Sequence, residues 1–215
     1  MEFVQDSQQW FESIISRYVP AGTSPQALYD IGVGSKTEWQ TLGSIYPGMC
    51  IFGCEPDPVQ FQRLLAQGLN IKPVAIGTDR SAVLHIPSDR MSSSLFSLEK
   101  LYGNPTVELK TVEMQTLDEF DDWAGKPHDI LLWLDIEGSE LDALRSGPNL
   151  LRSGRVKWLN LEERCVDARA PYRDWPSGWS HPHDLTALLN SYGYQRVLEY
   201  NYHGTHQDVI YVYRD

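Results

Sequence analysis

The stretch "ALYDIGVGSKTEWQ", Ala27 to Gln40, decides how the chain is read. Its right half, "GVGSKT", looks like a phosphate loop. Such a loop needs G-x-x-x-x-G-K-[ST], with one glycine directly before the lysine and another five positions earlier. Here Ser35 precedes Lys36, and Asp30 stands five positions before Ser35. Both glycines are missing, and a carboxylate at the mouth of a phosphate cradle would repel its ligand. A dinucleotide turn, G-x-G-x-x-G, fits Gly32 and Gly34 but meets Thr37 where the third glycine packs helix on strand. What remains is an acid ending a short strand, a glycine turn, and a helix over 36–46.

An acid in that place suits a cationic or hydroxyl-bearing ligand better than phosphate. Twenty-one residues after Gly34 comes Glu55, at the end of the apolar run "MCIFGCE" (49–55), which reads as a strand buried on both faces. An acid ending a second strand is placed to accept hydrogen bonds from ribose hydroxyls. Asp30 and Glu55 together fit S-adenosylmethionine, which has a ribose, a cationic sulfonium and an amino-acid tail but no phosphate. The bland alternative for both acids is helix capping and surface solvation.

Outward from this core the rhythm is strand, helix, strand, helix, strand. The second helix spans 57–67, with Pro58 near its first position, and "IKPVAIG" (71–77) is the third strand. That order implies a parallel sheet with right-handed crossovers. "SAVLHIP" and "VELKTVEMQ" read as an inserted pair of strands around the polar stretch "SDRMSSSLFS". Leu117 to Trp123 reads as a short helix, "DILLWLDI" (129–136) as a buried strand, and "GSELDALRSG" as a helix that Gly147 stops. "VKWLNLEE" (156–163) is a further strand. After the aromatic loop "YRDWPSGWSHPH" comes a helix over 183–192, and "YQRVLEYN" and "QDVIYVYR" close the chain as a hairpin. The fold class expected is α/β, Rossmann-like: a mostly parallel seven-stranded sheet flanked by helices, closing with a C-terminal antiparallel hairpin. One domain is expected over 1–215. In it a helical cap (1–25), with Phe3, Trp10, Phe11, Ile14, Ile15 and Tyr18 at helical spacing over 3–19, precedes the core (27–215).

With 215 residues, of which 41% are hydrophobic, the chain can bury a full core. Its net charge is -11, from 18 basic and 29 acidic residues, which argues against duplex nucleic acid and anionic membrane as partners. No apolar run approaches the roughly 20 residues of a membrane helix. The first residues show no basic region before an apolar one, so no secretory leader is expected. Cys50, Cys54 and Cys165 are an odd number without metal-like pairing. They read as free thiols, in a strand-like run for Cys50 and Cys54, and place the chain in a reducing, cytoplasmic compartment.

The motifs "LYDIGVGSKTEW", "FGCEPDP", "PVAIG", "SSSL", "TLDEF", "LWLDIEGSELDALRSG" and "LNLEE" stand in the order seen in FkbM-type methyltransferases, and over about residues 27–165 the chain resembles that family. The family's first motif usually reads D-[IV]-G-A-N-x-G. Val33 and Gly34 replace its Ala and Asn, and Lys36 its last Gly, although Gly34 restores the wider pattern D-x-G-x-G. The resemblance implies a class I fold and S-adenosylmethionine as cofactor. It implies O-methylation of a hydroxyl on a small-molecule or sugar-like acceptor. By the same resemblance, Asp30, Gly32 and Gly34 line the methionine end of the cofactor, and Glu55 binds its ribose. Ala75 and Ile76 flank the adenine, and Asp135 faces cofactor and acceptor.

Ligands of an open parallel sheet bind outside the carboxyl ends of its strands. That edge collects Asp30, Glu55, Asp135, Glu137, Glu162 and Glu163. Candidate bases are Asp135, His181 and His183 around Pro182, and His203 and His206 in the last hairpin; the bland alternative for the histidines is solvated surface. Asp135, Glu137 and Glu162 could converge as oxygen ligands suited to magnesium. Against that, Glu137 could cap the following helix, and no metal is expected. Tyr172, Trp175, Trp179 and Tyr202 are either platforms for a sugar ring or packing over the core. Ser92 to Leu95 either bind a ligand or form a polar loop. The acceptor is expected to be a small molecule or carbohydrate, with a second copy of the chain as a further partner. The rival readings are a catalytically silent nucleoside-binding protein and a nicotinamide-dependent oxidoreductase.

Overall fold

The computed structural model describes residues 24–35, 38–90, 92–99, 105–164, 176–202 and 206–214. The expected helix over 3–19, Lys36, Cys165, Tyr172, Trp175 and His203 lie outside them, as do the side chains of Tyr202 and His206.

The main sheet is built from β1 (Ala27–Ile31), β2 (Cys50–Cys54), β3 (Asn70–Lys72), β7 (Ile130–Leu134), β8 (Val156–Arg164), β9 (Tyr194–Tyr202) and β10 (His206–Tyr213). Their order across the sheet is β3-β2-β1-β7-β8-β10-β9. β3, β2, β1, β7 and β8 run parallel, whereas β10 is antiparallel to both neighbours. This is the mostly parallel sheet with a closing hairpin that the strand–helix rhythm implies. Connecting helices are α1 (Glu38–Ile45), α2 (Pro58–Ala66), α3 (Leu117–Trp123), α4 (Glu140–Arg145), α5 (Pro148–Arg152) and α6 (Pro182–Ser191).

Five buried residues in a row make β1 and β7 the central strands. On one face Tyr29, Leu132, Leu134, Leu159 and Leu161 pack under α3 to α6; on the other, Leu28, Leu131, Trp133 and Trp158 pack against Leu42 and Trp39 of α1. Tyr29 would leave a buried hydroxyl in this core. It donates to Asp121 Oδ1 at 2.8 Å, and Asp121 in turn receives both Nη atoms of Arg155, so the buried acid is neutralised where it sits. The short helix expected over Leu117 to Trp123 is α3, and Thr116 caps it in a reciprocal capping box with Glu119.

Two expectations need correction. "IKPVAIG" is not one strand. Pro73 has no N–H to donate to a ladder, and the chain changes sheets there. Asn70–Lys72 pairs with β2, while β4 (Ala75–Ile76) pairs with β6 (Thr106–Gln115). With β5 (Ser81–Pro87) these form a three-stranded side sheet in the order β4-β6-β5, so the inserted pair of strands is present and recruits a third. β2 is not buried along its whole length either. β3 reaches only Phe52 to Cys54, so the first half of β2 is an edge; Cys50 is exposed and Cys54 buried, both free thiols. Among the described residues no helix is long and apolar enough to cross a membrane.

Candidate active site

The chain leaves β1 toward β2 and β3 on one side and returns to β7 on the other. The strand order therefore reverses between β1 and β7, and a crevice opens beyond their carboxyl ends. Two turns meet there, Ile31–Ser35 and Asp135–Ser139. Asp135 N donates to Ile31 O at 3.1 Å, and Gly32 N and Val33 N both donate to Cys54 O. The approach is so close that a Cβ on Gly32 (φ +87°) would stand 2.2 Å from Asp135 O. Glycine is a steric requirement at this point, independent of any ligand.

Glu55 is 4% exposed and fixed by two backbone amides. Its Oε2 accepts from Gly34 N and its Oε1 from Asp57 N, both at 2.7 Å. The twenty-one-residue spacing between Gly34 and Glu55 is thus one hydrogen bond across two strand ends. A carboxylate oxygen has two lone pairs with which to accept. Arg63 reinforces the turn from outside, donating from Nη2 to Gly34 O at 2.7 Å.

A cleft open to solvent lies over these groups. Gly32, Gly34, Glu55, Ala75, Ile76 and Asp135 all line it. Asp30, 5% exposed, is the next-to-last residue of β1, which Ile31 ends, and is not part of the lining. The other wall joins Arg90, which sequence reasoning missed, to Ser93, Ser94 and Leu95 of the stretch it weighed. Arg90 follows β5 and forks, giving Nη1 to both oxygens of Asp57 at 2.7 Å and Nη2 to Glu108 at 2.5 Å. That fork ties the side sheet to the start of α2. No spacing rule announces it, because Asp57, Arg90 and Glu108 come from three separate elements. Ser94 resolves part of the "SSSL" question. Its Oγ donates to Glu137 O at 2.7 Å, and its backbone bridges His85 in both directions, so it anchors the wall. Ser93 Oγ and Ser139 Oγ, both buried on this lining, have no hydrogen-bond partner among the described residues. A buried hydroxyl without a partner is costly, and both belong to residues on the lining of one cleft.

The turn 135–139 is held from below. Glu140 Oε1 accepts from Gly138 N at 3.1 Å and Ile136 N at 3.3 Å. Ser180 gives both its N–H and its hydroxyl to Gly138 O, and Ser180 Oγ also accepts from Leu141 N. Trp179 lies so close over Gly138 (φ +102°) that a Cβ there would meet its ring at 2.5 Å. Trp179 is 5% exposed against Leu98 and Phe96, which makes it packing and not a platform for a sugar. Ser139, not Glu137, occupies the N-cap of α4, and it makes no side-chain capping bond; the helix starts three residues beyond Glu137. Burial pushes the Glu140 carboxyl up to about 7; the charge of Glu162 adds to this, and the backbone amides oppose it.

Of the candidate bases, Asp135 is on the cleft. His183 is 92% exposed beside Asp184, and His181 stands at the N-cap of α6; neither lines the cleft. Carboxylate oxygens of Asp135, Glu137 and Glu162 lie within 4.8 Å of one another, all three side chains half-buried. The convergence weighed from the sequence is present in the geometry. S-adenosylmethionine fits the cleft on these observations: a buried acid at the second strand end, a turn open to backbone approach, and two partnerless hydroxyls.

No curated protein matches the chain. Among solved structures it is similar to Aeropyrum pernix fibrillarin in complex with S-adenosyl-L-methionine (14% identity, 87% of this chain and 66% of that one, TM-score 0.48). It is also similar to an N-terminally shortened METTL16 methyltransferase domain (13%, 97% and 80%, TM-score 0.49). A third is a precorrin-6y C5,15-methyltransferase from Geobacter metallireducens (11%, 100% and 93%, TM-score 0.47). The family model described as the methyltransferase FkbM domain matches residues 38–196, most of the chain. The chain therefore belongs to the FkbM methyltransferase family, whose methyl donor is S-adenosylmethionine.

Proposed function

We propose that the protein methylates a hydroxyl oxygen of a small or sugar-like acceptor. The observation that carries this reading is the carboxylate cluster where Asp135 meets the cleft. An amine among three carboxylates would be held as its ammonium, with no lone pair to attack. A hydroxyl keeps its lone pairs and can lose its proton to a carboxylate.

Bound S-adenosylmethionine supplies a methyl on a sulfonium, which departs as a neutral thioether. The chain's own groups hold and orient. Glu55 accepts from the ribose hydroxyls, Ala75 and Ile76 give the adenine an apolar wall, and Gly32 and Gly34 present backbone to the methionine end. Ser93 and Ser139 offer donors. Asp135 orients the acceptor hydroxyl and takes its proton as the carbon–oxygen bond forms, leaving a methyl ether. Positioning of this kind contributes most of what a reaction with so good a leaving group needs.

Calorimetry with S-adenosylmethionine and S-adenosylhomocysteine, with turnover read as S-adenosylhomocysteine released over a panel of sugars and other hydroxyl compounds, tests the roles. Glu55→Ala should weaken cofactor binding by about 10- to 100-fold, because it removes a charged acceptor and orphans two amides. Asp135→Asn should cut turnover by about 10²- to 10⁴-fold with little change in cofactor affinity. The reverse pattern means the roles are misassigned. Transfer to amines but to no hydroxyl in the same panel overturns the reading.

A further inference from the structure

The carboxylate cluster extends beyond what methyl transfer alone requires. Leu134 pairs with Leu161 between β7 and β8, so the next positions along the two strands, Asp135 and Glu162, are neighbours. Asp208 of β10 pairs with Glu162 from the other side. Asp135, Glu162 and Asp208 thus form one row across three strands, and Glu137 joins it from the turn. One row deeper on the same face is Asn160, which pairs with Trp133 and Ile210 and is 2% exposed. Its side chain leans toward the acid row, with Nδ2 3.4 Å from Asp208 Oδ1. Its Oδ1 is buried and has no hydrogen-bond partner among the described residues.

The geometry points to a binding site for a hard divalent cation, formed by Asp135, Glu137, Glu162 and the amide oxygen of Asn160. All the donors are oxygens, with no thiolate or imidazole, which selects magnesium, manganese or calcium over zinc and copper. Metal–oxygen bonds of about 2.1–2.4 Å let one cation span oxygens up to about 4–5 Å apart, and the three carboxylates already lie within 4.8 Å of one another. A cation would neutralise carboxylates that otherwise repel and give the orphaned Asn160 oxygen a partner. What it does for catalysis rests on the hydroxyl-transfer reading. It would favour acceptors with two adjacent oxygens able to chelate, such as a vicinal diol, and would lower the pKa of the hydroxyl it binds. Binding of the cation itself does not depend on that reading.

The test uses the intact chain, stripped with chelator and titrated with Mn²⁺, followed by calorimetry and by loss of the free-ion electron paramagnetic resonance signal. We expect one saturable site per chain, with a dissociation constant of about 10⁻⁵–10⁻³ M. Glu162→Gln, and separately Glu137→Gln, should weaken it by about tenfold or more. Neither residue lines the ribose end of the cleft, so binding of S-adenosylhomocysteine, which carries no net charge, by Glu162→Gln serves as the control for folding. No saturable site, or unchanged affinity in both variants while the cofactor still binds, overturns the inference. Normal Mn²⁺ binding with no cofactor binding would instead count against the proposed function and leave the metal site standing.

Discussion

Gly32→Ala should abolish useful cofactor binding and lower the melting temperature by about 8–15 °C, at about 2–4 °C per kcal/mol for a chain of this size. The new methyl would stand 2.2 Å from Asp135 O and 2.7 Å from Ile136 Cγ2. Neither can yield cheaply. Asp135 O belongs to backbone, and Asp135 N is held by Ile31 O. The left-handed conformation at φ +87° adds about 1–2 kcal/mol for a residue with a side chain. Overpacking in a region without slack adds about 1–3 kcal/mol. The strain is relieved only by spreading β1 from β7 at their carboxyl ends, where the cleft floor lies. Gly34→Ala separates the causes. At Gly34 (φ +56°) a Cβ would meet only Gly32 O, at 4.0 Å, so the conformational cost of about 1 kcal/mol stands alone. Scanning fluorimetry and cofactor titration on both variants decide the matter. Equal destabilisation by the two would mean that close approach of the turns is not what demands glycine at Gly32.

Glu140→Gln should make the protein more stable above neutral pH while changing little in acid. In the folded chain the Glu140 carboxyl titrates at about 7, chiefly because it is fully buried; in the unfolded chain it returns to an ordinary value near 4.5. The folded form thus keeps a proton that the unfolded form has released. The stability tied to that proton is whole below about pH 4.5, falls as pH rises, and is gone above about pH 7. At 1.36 kcal/mol per unit the full loss is on the order of 3 kcal/mol. Glutamine stays neutral throughout and retains an oxygen for Gly138 N and Ile136 N. Urea unfolding at pH 5 and pH 8, with chelator present so that no cation offsets Glu162, should show the variant gaining up to about 3 kcal/mol on the wild type at the higher pH only. The same difference at both pH values would show that burial of charge at Glu140 is not the cause.

The two strand-ending acids were legible because their physics is local. A carboxylate that interrupts an apolar strand run stands out in the sequence, and Asp30, next to last in β1, and Glu55, directly after β2, are such interruptions. The residues around Asp135 were legible for the same reason. Trp179, Arg90 and Ser139 were harder. An aromatic residue in a loop looks alike whether it faces a ligand or closes over Gly138, and only the position of Phe96 and Leu98 makes Trp179 packing. Arg90 is defined by Asp57 and Glu108, which the fold brings from three places. Ser139 reads as an ordinary helix start, and its significance is an absence, since it makes no capping bond. The break at Pro73 could have been read from its missing N–H; the apolar residues on either side masked it. The histidines misled in the opposite sense, since proximity to a helix start in sequence put His181 and His183 near the edge but not on the cleft.

The row of acids has a bearing on how the protein lets go. S-adenosylmethionine arrives with a net positive charge, and once the methyl is gone what remains carries none. If the sulfonium sits beside Asp135 as proposed, Asp135, Glu137 and Glu162 attract the incoming molecule more than the spent one. A unit charge about 6 Å from a carboxylate is worth about 0.7–3 kcal/mol for effective dielectric constants between 80 and 20. On that placement, transfer would switch off part of the attraction that brought the donor in, and the site would reset electrically at each turn. The dissociation constant of S-adenosylhomocysteine should exceed that of S-adenosylmethionine by about three- to a hundredfold, and adding the cation should narrow the gap. Equal constants without cation would mean that the acids exert no such pull, and product would then compete with donor on even terms.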